Sequence, residues 1–105
     1  MQVIHPYEIV LSLAGHDRGK LFLVIGEDGA RLLLADGRGR KLDTPKRKSA
    51  KHLRSVGTSA HPAIQRLQRG EPVTDKQLRC ALAAFRESEV SHLTNRRQLS
   101  CPKQI

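Results

Sequence analysis

From Glu8 to Val56 short apolar runs alternate with turn residues, and after Gly57 the apolar spacing lengthens from two to three or four. Alternation at period two places Ile9, Leu11 and Leu13 on one strand face, and Leu21, Leu23 and Ile25 on one face of a second strand beyond the turn Gly15 to Lys20. Asp28-Gly29 is a hairpin signal because glycine accepts the positive φ that a tight turn demands. A third run, Arg31 to Ala35, ends at a similar signal, Asp36-Gly37. Arg40 to Leu42 is expected as a fourth strand and His52 to Val56 as a fifth. Strands this short and this closely spaced predict a small, strongly bent β-barrel whose edges are largely paired away. Its core is expected to be Ile9, Leu11, Leu13, Leu23, Ile25, Leu32, Leu34, Leu42 and Leu53.

The longer period that follows predicts helices. Pro62 suits the first turn of a short helix carrying Ile64 and Leu67, which Gly70 and Pro72 terminate. Thr74 and Gln77 have capping-box spacing and open a second helix with the stripe Leu78, Ala81, Leu82 and Phe85. That stripe must bury against the barrel or against a partner. The organisation read from the chain is a barrel over 1–58, a helical extension over 59–88 and a polar, flexible tail over 89–105. The fold class is thus mainly β with a helical C-terminal extension.

Length and charge narrow the partners. A chain of 105 residues has room for one small core. Its 19 Lys and Arg against 10 Asp and Glu give a formal charge of +9, which calls for a polyanion. The longest apolar runs are too short to span a bilayer, and the N-terminus lacks the pattern of a secretory signal. A cytoplasmic, membrane-free protein is expected. The charge is unevenly placed: residues 1–37 carry net −2, 38–54 carry +7 and 55–105 carry +4. The basic stretch comprises Arg38, Arg40, Lys41, Lys46, Arg47, Lys48, Lys51 and Arg54, interrupted by Leu42, Pro45 and Leu53. Those three residues anchor a segment to a core, so the stretch reads as a cationic loop held against a folded body.

The segment Val10 to Ile25 resembles the KOW motif: an apolar strand, a Gly-x-x-basic-Gly-basic loop ending at Gly19 and Lys20, then a second apolar strand. Where many such loops place a second glycine three residues on, this chain has Phe22. Lys41 to Leu53, with Pro45-Lys-Arg-Lys48 and His52-Leu53, is similar to the basic stretch of bacterial KOW proteins related to the large-subunit ribosomal protein family labelled fourteen-e. The resemblance covers residues 7 to 57 and, more weakly, the helix after Thr74. It implies an SH3-like barrel of about five strands that binds RNA in a ribosome- or translation-linked role. Structured RNA, ribosomal RNA first, and neighbouring ribosomal proteins are the implied partners.

The residues expected to meet RNA form two basic fingers, the Gly15 to Lys20 loop and the Pro45 to Lys51 loop, and their surroundings: Gly15, His16, Arg18, Gly19 and Lys20 in the first loop, then Arg38, Arg40, Lys41, Lys46, Arg47, Lys48, Lys51, His52 and Arg54. Tyr7, Phe22 and Phe85 are the only aromatic residues, so platforms for stacking bases are scarce. Recognition through phosphates and shape follows. His16 and His52 have no ligand-like spacing to other His or Cys, and Cys80 and Cys101 form neither a close metal pair nor a disulfide framework, so reduced thiols are expected. No catalytic constellation, phosphate-binding glycine loop or cofactor motif is recognisable, and no enzymatic activity or small-molecule substrate is expected. The rival reading is a protein-interaction module, since SH3-like barrels also bind peptides; those usually cluster aromatics, which this chain lacks. DNA binding through the same charge is a third reading.

Overall fold

The computed structural model describes residues 3–94 of the chain, with side chains described as far as residue 88. Strands β1 (Ile9–Ser12), β2 (Leu21–Asp28), β3 (Arg31–Ala35), β4 (Lys46–Ser49) and β5 (Leu53–Gly57) precede helices α1 (Pro62–Gln68) and α2 (Asp75–Thr94). The strands form one antiparallel sheet of order β4-β3-β2-β1-β5. A two-residue turn at Gly29 and Ala30, with Gly29 at φ 65°, joins β2 to β3, so the hairpin lies one residue beyond its expected position.

Neighbouring strands lie about 4.8 Å apart, so three strand spacings would put β4 about 14 Å from β1 in a flat sheet. Lys48 of β4 nevertheless donates to Ser12 Oγ at 2.8 Å and to the Ala14 carbonyl at 2.7 Å. The sheet must therefore curl. Leu53 of β5 joins Leu32 and Leu34 of β3 in one buried cluster, as the same curl requires. No ladder joins β4 to β5 among the described residues, so the sheet is curled but not closed.

Both faces of the sheet are buried. Val10, Phe22, Val24, Leu32, Leu34 and Leu53 pack on the concave side, closed by Ile4. Ile9, Leu23 and Ala35 point the opposite way, against Ala63, Ile64, Leu78, Ala81 and Leu82 of the helices. The stripe on α2 is thus buried against the chain's own sheet. This corrects the expected core, which combined residues of the two faces and placed Leu13 inside. Leu13 is 44% exposed, and Leu11, Ile25 and Leu42 are only half-buried. Five consecutive apolar residues, Leu21 to Ile25, carry no period-two signal, because each face has its own cover.

The fourth strand is also displaced. Arg40 to Leu42 lies in a loop, while the pairing strand is Lys46–Ser49. The loop's backbone bonds are local or made to α2: Asp36 N–H donates to Arg40 O at 2.8 Å, and Leu42 N–H to Asp75 Oδ1 at 2.8 Å. Its apolar residue is thereby tied to the helix rather than to a ladder.

The helices begin as their sequences imply. The capping box is complete, with Gln77 N–H donating to Thr74 Oγ1 at 3.1 Å and Thr74 N–H to Gln77 Oε1 at 2.9 Å. α2 runs to Thr94, so helix continues past the expected boundary at 88; the rest of the expected tail lies outside the described residues. Cys80 is disulfide-bonded, which corrects the expectation of a reduced thiol. No described helix is long and apolar enough to cross a membrane.

Candidate nucleic-acid interface

The first expected finger is a loop with defined shape. Gly15 and Gly19 take φ values of 80° and 86°, backbone conformations that glycine adopts without cost from a Cβ. Gly19 N–H donates to Ser12 O at 2.8 Å, Arg18 N–H to Gly15 O at 3.1 Å, and Ser12 N–H to Lys20 O at 3.0 Å. With the backbone closed on itself, His16, Arg18 and Lys20 are exposed. Phe22, which stands in place of a second glycine, is fully buried on the concave face. It secures the strand that leaves the loop.

Asp17 anchors the loop from below. It is buried and forms an ion pair with Lys46, while Lys20 lies 3.9 Å away. The hydrogen bond from Lys46 holds the Asp17 carboxyl below the usual carboxylate range, against the opposing effect of burial; the charges of Lys46, Arg40 and Lys20 lower it further. Lys48 grips the other side of the loop through Ser12 and Ala14. Arg47 pairs with Asp28 at the β2 end.

The second expected finger therefore differs from its sequence appearance. Lys46, Arg47 and Lys48 form a strand, and each of the three cations has an intramolecular partner. Two of them clasp the first loop. The remaining basic residues are distributed around this clasp. Lys51 and His52 lie in a 3-10 turn, Ala50–His52, and are exposed, as is Arg54. Leu53 pairs with Ser12, and Leu13 N–H donates to His52 O at 2.9 Å, so this turn borders the first loop. Arg38 and Lys41 are exposed on the β3–β4 connection, and Arg40 is half-buried there.

Sequence reasoning missed two members of this surface. Arg79 and Arg86 of α2 line a cleft together with Lys20 and Arg38. Their spacing of seven residues, two helical turns, beside the stripe of Leu78 and Leu82 was the available signal.

None of the three aromatic side chains is fully exposed. Phe22 is in the concave core, and Tyr7 and Phe85 pack against the cluster beneath the helices. Among the described residues, no group of three or more His, Cys, Asp or Glu is arranged to hold a metal ion. Neither a family model nor a curated protein matches this chain.

Proposed function

We propose that this protein binds structured RNA through phosphate and shape contacts, in a ribosome- or translation-associated role. The observation that carries the proposal is a glycine-shaped loop braced by Asp17–Lys46 and Lys48, which leaves Arg18 and Lys20 exposed beside Lys51, His52 and Arg54. Fixing the backbone in advance reduces the ordering cost of each phosphate contact. The curled sheet of order β4-β3-β2-β1-β5 fits the SH3-like barrel of the KOW resemblance. Full burial of Phe22 and the packing of half-buried Tyr7 and Phe85 against the core favour phosphates over unstacked bases as the feature read, and they disfavour a peptide groove of the usual aromatic kind.

The test is a titration of the full chain against an RNA hairpin, single-stranded RNA, a DNA duplex and a peptide array at several salt concentrations. The RNA hairpin should bind most tightly, with log affinity falling against log salt by roughly 0.9 per phosphate contacted. Tightest binding to a peptide, unaffected by salt, would instead assign the surface to a protein partner. Co-sedimentation with ribosomal subunits tests the narrower ribosomal role.

A further inference from the structure

The cleft between α2 and the β3–β4 connection has a volume of about 270 Å³ and gathers four cations, Lys20, Arg38, Arg79 and Arg86, from three separate parts of the chain. Asp36 is the one acidic residue in its lining. Asp36 Oδ1 is already engaged, accepting from the backbone N–H groups of Arg38 at 2.8 Å and Arg40 at 2.9 Å. Among the described residues no carboxylate forms an ion pair with Arg38, Arg79 or Arg86.

The site is held in place by the backbone. Arg79 Nη1 donates to Gly37 O at 2.7 Å, which fixes the guanidinium and leaves its other N–H groups available. Gly37 permits that approach: a Cβ there would stand 2.3 Å from Asp75 O and 3.2 Å from Arg79 N. Leu21 and Leu82 supply apolar walls, which strengthen charge interactions by keeping water away on one side. Lys20 lies 3.9 Å from Asp17, but the three arginines have no ion-pair partner among the described residues and repel one another, and an anion with several acceptor oxygens relieves that repulsion. The lining holds no aromatic residue on which a base could stack.

We infer that this cleft seats a backbone phosphate of the bound RNA, so that α2 forms part of the RNA interface. The inference rests on the RNA reading above and extends it to a part of the chain where sequence placed no contact. Lys20 belongs to both the braced loop and the cleft, so a strand crossing the loop at Arg18 and Lys20 continues directly to Arg38 and Arg86.

The experiment compares the full chain, R38Q/R86Q and the charge-matched control R66Q/K76Q, all of whose altered side chains are exposed. Each is titrated against an RNA hairpin of about 20 base pairs, enough to offer successive grooves and phosphates. Thermal melts should coincide for the three proteins. R38Q/R86Q should bind about tenfold more weakly, with a salt slope shallower by about 1, while the control follows the parent. If the parent binds and R38Q/R86Q retains its affinity and slope, or the control loses as much, the cleft assignment is overturned while RNA binding stands. If the parent shows no salt-dependent RNA binding, the RNA reading falls and the cleft assignment falls with it.

Discussion

Two cationic regions lie within one small chain and have opposite surroundings. On β4 each positive side chain meets an internal acceptor: Lys46 on Asp17, Arg47 on Asp28, and Lys48 on Ser12 and Ala14. Around the rim, Arg18, Arg38, Lys51, Arg54 and Arg86 are exposed, and no described carboxylate pairs with them. The denser run in the sequence is thus the one already consumed by folding. Positive charge marks a ligand surface only where the fold leaves it without a partner, and here the clasp and the rim divide the work. One shapes the loop, and the other leaves exposed cations around it.

The most damaging change to this arrangement alters no charge. Gly37→Val places a β-branched side chain at φ 77° and against Asp75 O, so α2 cannot keep its position. A loss of about 3 kcal/mol or more is expected in urea unfolding, and RNA affinity should fall with the rim's geometry although every cation remains. Removing the clasp comes next. Lys46→Gln with Lys48→Met should cost about 2 kcal/mol, the scale of hydrogen bonds to charged groups, discounted because Lys46 retains some exposure. Amide exchange in residues 14–20 should accelerate in the same variant.

Acid should act on the clasp before it acts on the rim. The Asp17 carboxyl is lowered in the folded protein, so its stabilisation is fully present above its unfolded value, near 3.8, and is lost as pH falls through the lower folded value. Asp17→Asn should flatten stability against pH in that window; an unchanged profile would remove Asp17–Lys46 from the account. The smallest effect lies outside both regions. His61 Nδ1 accepts from Ala63 N–H at 3.1 Å and caps α1, and burial holds the imidazole below its ordinary value. The neutral ring therefore contributes fully above about pH 6.5, and that contribution declines as pH drops from there toward the folded value. His61→Asn, which retains a capping acceptor, should remove this slope and leave the acid limb of Asp17 untouched.

Much of this architecture was legible from residue order. The loop at Gly15 to Lys20, the hairpin near Gly29, both helix starts and the reciprocal Thr74–Gln77 cap are written in local chemistry. What was not legible depends on distant packing. β4 contains Lys46, Arg47, Lys48 and Ser49, with no apolar alternation to betray a strand, and it is defined by pairing with β3. The two faces of Leu21 to Ile25 could be distinguished only once α2 was seen to cover one of them. Arg79 joins the rim because α2 crosses Gly37, a contact 42 residues apart in the chain. Local pattern names the elements, and their mutual placement decides which cations are left to act.

The division between clasp and rim is tested most directly by the salt dependence of RNA-hairpin binding in two variants, measured well below the melting temperature of each. Arg18→Gln, Lys51→Gln and Arg54→Gln together should make the slope of log affinity against log salt shallower by roughly 2 to 3, with stability little changed. Lys46→Gln with Lys48→Met should weaken binding through a looser loop while leaving the slope near that of the parent. A parental slope in the rim variant, with the loss of slope appearing in the clasp variant instead, would contradict the assignment of phosphate contact to the rim.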